Sequence, residues 1–491
     1  MKIDDKPINK SETKLNVQKW ENGEVISIDH LNTRGIYVAE NTISQHPYEL
    51  AGNSAFDRKA IFSVLQFGTI IPPLSPWTNV SRLKPGYSYK KTETGVTCLG
   101  ANQISDLFEW PESLDQQADA IVSIIDKSIR NVEAPVILFS GGVDSGLIAA
   151  RAAALGKRKS LLLNYSFGKD DSESQLAEKM AHILGLRFER IEAGSEAITT
   201  CLDQPGRIYP SPFGDNSVVP TSALARAVVE RVGRGTQIFD GTGADGGFGM
   251  TSKIAAWKRL ASIPKFARRV AGSLYKQFWT SENSSMEYRL RILRRSTMME
   301  LLPAILAQSP LAGILFDASP ALEVEQLLVD WIASWAGTKL PRQAVACDLA
   351  MTCANCFAQK AQSIFDAAGV TVSYPFMTNG SLQLALTASE HVIEPKAPLK
   401  HALARHVPRE MVYRPKSGFL DPKASIFHNH QFIEYLLDAS NKGPLADILD
   451  GPNLRKVADL LSTRRHLPSQ TLTTLWAIVF LHRWIATLPK K

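Results

Sequence analysis

The sequence predicts an α/β fold: a doubly wound parallel sheet with a helical C-terminal part, preceded by a mainly β N-terminal region. Two observations carry this. Between residues 135 and 250, short apolar runs at 136–139, 161–165, 188–191 and 236–239 alternate with helical stretches. Strands separated by helices of roughly 10–15 residues form parallel sheets that bind ligands at their C-terminal strand ends. In addition, the first and fourth runs each end in a glycine-rich turn, at 140–145 and 240–249.

The elements follow in order. The first 15 residues are polar and read as a mobile tail. Residues 16–100 read as short strands and turns, such as 35–39 and 87–89, punctuated by Gly and Pro. A helix over 114–132 leads into the sheet, whose connecting helices are expected at 146–154, 173–184 and 221–232. Beyond 250 the pattern is mostly helical, including 344–368, with a loop-rich stretch over 370–425. There is no internal repeat and no low-complexity segment.

At 491 residues the chain is long enough for two or three domains and a large core. No uncharged apolar run reaches the roughly 18 residues of a membrane span, and the N-terminus lacks an apolar signal core. The expectation is a cytoplasmic protein with no membrane partner. Five cysteines spread over the chain argue against a disulfide framework. Cys353 and Cys356 have CxxC spacing, but no His lies near them, and on a helix that spacing places both thiols on one buried face. The net charge is +7, and residues 251–300 hold eleven Lys/Arg against three Glu. That segment reads as solvated helix faces or as a docking site for an acidic protein or peptide. Few aromatics interleave its charges, so nucleic acid is not the favoured partner.

The first glycine-rich turn, Ser140-Gly141-Gly142-Val143-Asp144-Ser145, carries legible chemistry. Glycines let backbone N–H groups approach an anion, and the following helix adds its positive end. The hydroxyls of Ser140 and Ser145 donate further bonds. Asp144 would repel a phosphate unless a cation lies between, and Mg²⁺ prefers carboxylate and phosphate oxygens. The loop therefore reads as a grip for ATP as Mg-pyrophosphate. It lacks the lysine of a Walker loop.

The second turn, at 240–249, contains a formal G-x-G-x-x-G, but it follows the fourth strand and not the first, against a dinucleotide fold. Its Gly243 and Asp245 instead fit the same site, with Asp245 as a second carboxylate on the shared Mg²⁺. Ser166, with Phe167, Gly168, Asp170 and Asp171, follows the 161–165 strand and is placed to hold adenine and ribose.

The first turn resembles the signature of the ATP pyrophosphatases, which split ATP between the α and β phosphates. Three distal segments narrow the resemblance: Val372-Ser-Tyr-Pro-Phe-Met377, Lys400-His-Ala-Leu-Ala-Arg405 and Arg414-Pro-Lys-Ser-Gly-Phe419. With the Asp245 loop and Leu475–Trp484, they resemble the synthetase half of the asparagine synthetases, over roughly 120–487. The resemblance implies ATP, Mg²⁺, a carboxylate activated as an acyl-adenylate, and attack by nitrogen to give an amide. Lys416 and Lys400 fit this chemistry as fixed cations, Lys416 beside the developing oxyanion and Lys400 beside the phosphates. Tyr374 and His401 are candidates for the base.

The chain also departs from that family. Glutamine-using members begin Met-Cys, whereas here the second residue is Lys2 and the first cysteine is Cys98. Only 65–72, Thr78 and 82–87 look like the end of a glutaminase-type domain. The expected division is a truncated, inactive glutaminase-like domain over 1–115 and an amide ligase domain over 116–491. Asparagine synthetases carry Glu and Arg where this chain has Thr371 and Ser373. Two related branches accept other nitrogens: the β-lactam synthetases and the lasso-peptide cyclases. The substrate is thus a small-molecule or peptide carboxylate with an amine. A tRNA-modifying ATP pyrophosphatase and a non-catalytic nucleotide-binding relative are the alternatives.

Overall fold

The computed structural model describes residues 16–20, 23–104, 109–166, 168, 171–192, 201–250, 311–391, 394–414, 429–463 and 469–490, with short pieces between 254 and 309 and the single residues Phe427 and Leu467. The expected tail, most of the basic 251–300 segment, Phe167, Asp170 and Lys416 lie outside the described residues.

The N-terminal region forms two antiparallel sheets. Strands β1 (Asn16–Trp20), β2 (Gly23–Ser27), β6 (Tyr87–Thr92) and β7 (Gly95–Ala101) pair in that order, and β4 (Thr42–Ser44), β3 (Tyr37–Ala39) and β5 (Ser81–Arg82) make the second sheet. Between them runs a helix, Arg58–Phe67, which the strand-and-turn reading missed. Its signals are terminal. The Asp57 carboxylate accepts from the N–H groups of Lys59 and Ala60, and Gly68 closes the helix at φ 76°. Every residue from Ala60 to Phe67 is buried, and the polar positions Lys59, Ser63 and Gln66 are spaced for a helix, a short period within ten residues.

The second region is a five-stranded parallel sheet. It is formed by β8 (Val136–Leu138), β9 (Leu161–Ser166), β10 (Arg187–Glu192), β11 (Gln237–Phe239) and β12 (Thr371–Ser373), in the order β10-β9-β8-β11-β12. The first four match the expected strands. The three-residue β12 falls where loops were expected. Strand alternation divides the core. Val136, Leu161, Leu163 and Ile238 pack with Val228 and Phe365 on one face. Ile137 and Leu162 pack with Leu147, Ile148 and Met180 on the other. The chain extends the sheet one way through β9 and β10, then returns to place β11 on the other side of β8. The loops after β8 and β11 thus flank the switch point, where such sheets bind ligands.

The stretch 370–425 also departs from expectation, because it contains helices at Asn379–His391, Ala397–Ala404 and Arg409–Val412. Its prolines read as breakers, yet Pro398 sits in a first helical turn and Pro408 at an N-cap, where no N–H is missed. The expected 344–368 helix is present as Leu340–Cys347 and Gln359–Ala367, joined through a π-helical Asp348–Ala358.

The two regions share a core. The C-terminal helix Ser469–Ala486 places Trp484 against Trp77, with ring centroids 5.7 Å apart. Arg34 grips Asp366 with two bonds, of 3.0 and 2.8 Å. Arg82 donates to the Asn355 side chain at 2.8 Å, and Thr69 to the Asn355 carbonyl at 3.0 Å. No helix among the described residues is long and apolar enough to cross a membrane.

One buried ion pair ties helix Gln359–Ala367 to the segment that leads into helix Val218–Val232. Lys360 Nζ lies 2.5 Å from Asp215, whose carboxylate also accepts from the Ser217 hydroxyl at 2.6 Å. Burial alone would raise the Asp215 pKa; attraction to Lys360 and the hydrogen bonds outweigh it and hold the pKa below its ordinary value. The pair therefore stabilises fully above the unfolded carboxylate pKa of about 3.9 and is lost as the pH falls through the lower folded value. Lys360→Met should destabilise the protein by about 3–5 kcal/mol at neutral pH, because it strands a buried charge. The deficit should shrink in acid, because the buried Asp215 of the variant, without Lys360, takes up a proton more readily than in the parent. Thermal unfolding of both proteins across this pH range checks both statements.

Candidate active site

The site is assembled from three backbone segments. The first is the turn after β8. Gly141 sits at φ 70°, and a side chain there would place its Cβ 2.7 Å from the Cα of Ala177, so only glycine lets the turn lie against the Ser172–Leu184 helix. The Ser145 hydroxyl accepts from the Ser140 N–H at 3.1 Å and lies 3.2 Å from the Ser140 hydroxyl, which accepts from the Gly142 N–H at 3.3 Å. The two serines thus shape the turn. Helix Val143–Ala154 starts at Gly142 with no side-chain cap, leaving its positive end toward the crevice.

The second segment follows β11. The Asp240 side chain accepts from Thr242, at 2.7 Å from the N–H and 2.6 Å from the hydroxyl. Gly243, at φ 104°, starts the short helix Ala244–Phe248; a Cβ there would lie 2.6 Å from the Met377 side chain and 2.9 Å from the Phe376 carbonyl. The glycine lets this loop close onto the Pro-Phe-Met turn, which places Asp245 opposite Asp144.

The third segment contributes Lys396, a residue that sequence reasoning missed. Its ammonium lies 2.8 and 2.7 Å from the two Asp144 oxygens and 2.5 Å from Asp245. The two carboxylates therefore approach one cation position from separate strand ends. The lysine side chain is only 11% exposed. Burial pulls its pKa down, but the attraction of Asp144 and Asp245 outweighs this and the net direction is upward. Its backbone is left-handed, at φ 57°, and its N–H donates to the Phe248 carbonyl at 2.8 Å. A non-glycine residue in this region is strained and is held there by its surroundings. The sequence did carry a signal. Lys396 caps a helix with Pro in its first turn, a position that ordinarily takes Ser, Thr, Asp or Asn.

This donor set fits Mg²⁺. It offers hard carboxylate oxygens from two sides beside a helix N-terminus suited to phosphate, and Lys396 already stands in as the cation between them. Mg²⁺ takes one or two protein carboxylates and completes its shell with phosphate and water oxygens. No group of three or more His, Cys, Asp or Glu able to hold a metal occurs among the described residues.

The other expected residues are distributed around this centre. Ser166 is buried at the end of β9 and bonded to Gly168, donating to its carbonyl at 2.8 Å. Asp171 caps the next helix, accepting from Glu173 and Ser174 N–H groups. Lys400 lies one helical turn beyond Lys396, 3.1 Å from Glu394 and 5.8 Å from the centre of the Tyr413 ring, and bridges neither Asp144 nor Asp245. Arg414, two residues before Lys416, grips both oxygens of Glu173 at 2.7 Å, which anchors that motif to the Ser172–Leu184 helix.

The two candidate bases are engaged elsewhere. The Tyr374 hydroxyl donates to the Ala358 carbonyl at 3.1 Å, and burial pushes its pKa well up. His401 pairs with Asp115 at 2.8 Å, on the Leu114–Ile129 helix. The CxxC thiols are buried, and burial raises the pKa of both. Cys353 packs beneath the Asp245 helix, so close that a Cβ on Gly246 would come 2.9 Å from its sulfur.

The asparagine synthase family matches residues 123–486, well over half of the chain. No curated protein matches it. The matched stretch contains both glycine-rich turns, both carboxylates, Lys396, Lys400 and Lys416, and on its extent the chain belongs to the asparagine synthase family, whose members are ATP-dependent, amide-forming ligases.

Proposed function

We propose that this chain activates a carboxylate with Mg-ATP and passes the acyl group to a nitrogen nucleophile. A substrate carboxylate oxygen attacks the α-phosphorus, the bond to the β-phosphate breaks, and pyrophosphate leaves. The amine then attacks the acyl carbon, AMP departs with its phosphate oxygen, and the nitrogen loses a proton. The convergence of Asp144 and Asp245 on one cation position beside an uncapped helix N-terminus carries the reading. Mg²⁺ held there would neutralise the leaving pyrophosphate.

The chain's own residues supply the rest. The Gly141–Gly142 turn borders the phosphates, and Ser140 and Ser145 hold it in shape, the Ser140 hydroxyl accepting from the Gly142 N–H. Gly243 lets the Asp245 loop close. Ser166 borders the nucleotide at the end of β9. Lys400 adds positive charge toward the phosphates, and Lys416 meets the charge that develops on the acyl carbon's oxygen.

The acceptor differs from aspartate. Thr371 and Ser373, on β12 beside the site, are neutral where asparagine synthetases carry Glu and Arg, and Ser373 is bonded through its hydroxyl to Gln237 at 2.7 Å. Four of the five cysteines are buried and Cys98 lies on the exposed strand β7, so none is set up to release ammonia from glutamine. The nitrogen then comes from an amine or from free ammonia. Ring closure within one molecule, as in the β-lactam and lasso-peptide branches, satisfies the same chemistry. Pyrophosphate release measured over a panel of carboxylates and peptides tests the class; a panel in which nothing stimulates release above the ATP-only background would overturn it.

Asp144→Asn and Asp245→Asn should each abolish ATP–pyrophosphate exchange and the Mg²⁺-dependent part of ATP binding measured by calorimetry. Each leaves one carboxylate against Lys396, so the unfolding temperature should stay close to that of the parent. Exchange at the parent rate in either variant would remove the two-carboxylate site.

Lys416→Met should lower kcat by roughly 10²–10³ with ATP affinity unchanged, because its partner charge exists only in the transition state. Steady-state kinetics with a carboxylate that supports exchange checks this. Loss of ATP affinity in proportion to rate would place Lys416 at the ground-state nucleotide instead.

A further inference from the structure

We propose that Lys396 is a built-in counter-ion that occupies the metal position between Asp144 and Asp245, and that a divalent cation must displace its ammonium to bind. This rests on the reading of those carboxylates as the metal ligands.

Three observations carry it. The ammonium sits where a shared cation would, 2.7 Å from Asp144 and 2.5 Å from Asp245. A bound divalent ion and the ammonium cannot both occupy that point. Next, the backbone of Lys396 is pinned. Its N–H is bonded to Phe248, the last residue of the helix that carries Asp245, and its left-handed conformation is held at the head of helix Ala397–Ala404. Exchange is therefore left to the side chain, a flexible four-carbon stem that can swing from the carboxylates toward an incoming anion. Finally, the ammonium has anionic partners in both states. Without metal, Lys396 offsets two converging carboxylates that would otherwise repel each other. With metal and pyrophosphate bound, the released ammonium lies beside the new anion, and Lys400, one turn further on, keeps Glu394 paired. Lys396 would thus couple metal arrival to a gain of positive charge at the phosphates, acting as a positioning residue in the first state and a phosphate ligand in the second.

The test is a titration of the full chain with Mn²⁺ alone, without nucleotide, following free Mn²⁺ by its paramagnetic resonance signal. Lys396→Met should bind one Mn²⁺ more tightly than the parent by roughly tenfold or more, the low end of what close charge pairs are worth in coupling cycles. Lys396→Gln, which keeps hydrogen bonds to the carboxylates, should give the same gain and serves if the Met variant folds poorly. Adding Asp144→Asn to either should abolish the gain. Equal or weaker Mn²⁺ binding in the folded Lys396 variants would overturn the proposal. So would an equal gain from Lys157→Gln, a half-buried lysine bonded to the Arg130 carbonyl, since that would be a general charge effect. If parent and Asp144→Asn bind Mn²⁺ alike in the presence of ATP, the metal assignment itself fails, independently of Lys396.

Discussion

Two carboxylates at the ends of adjacent parallel strands repel each other unless a cation lies between them, and the architecture around this site supplies one. The strand order puts β8 beside β11, so their following turns face each other, and each turn ends with an aspartate in a first helical turn. The cation comes from far along the chain. After β12, the Pro-Phe-Met turn docks under Gly243, the Asn379–His391 helix follows, and the chain returns to hang Lys396 from Phe248. A change in any of these contacts alters the distance between like charges. That coupling gives reason for a strained lysine backbone to sit beside the turn that presents Asp144.

The sheet was legible because its signals are local. Apolar runs bounded by helices dictate parallel strands, and a serine–glycine turn on such a strand dictates an anion site. Asp144 and Asp245 could be paired from sequence because an acid at a phosphate turn makes sense only with a shared cation. Lys396 was hidden because its role is set by distance in space, 252 residues from Asp144. Lys400, one helical turn further along, was legible because it lies inside a recognisable motif. The Arg58–Phe67 helix was overlooked for a different reason: Lys59, Ser63 and Gln66 are spaced for a helix, but ten residues among Gly- and Pro-punctuated strands give that period little room. In 370–425 the prolines misled, because a proline within the first turn of a helix reads the same in sequence as one that ends it.

The N-terminal sheets are continuous with the catalytic core in a physical sense. Asn355 receives Arg82 on its side chain and Thr69 on its carbonyl, and it lies in the same π-helical stretch as Cys353, which packs under Asp245. A chain of direct contacts thus runs from β5 to the loop that presents Asp245. The region keeps a structural part in the ligase, whatever chemistry its relatives perform there.

The Leu114–Ile129 helix has a bearing on where the working unit begins. The family match starts at residue 123, partway through that helix. Its first turns hold Asp115 and Asp119, which clamp His401 and Arg405 at the far end of the helix that carries Lys396 at its head. The Ser113 side chain caps it. A catalytic fragment cut at the family boundary would leave one end of that lever unanchored, whereas a cut placed ahead of Ser113 would keep it fixed.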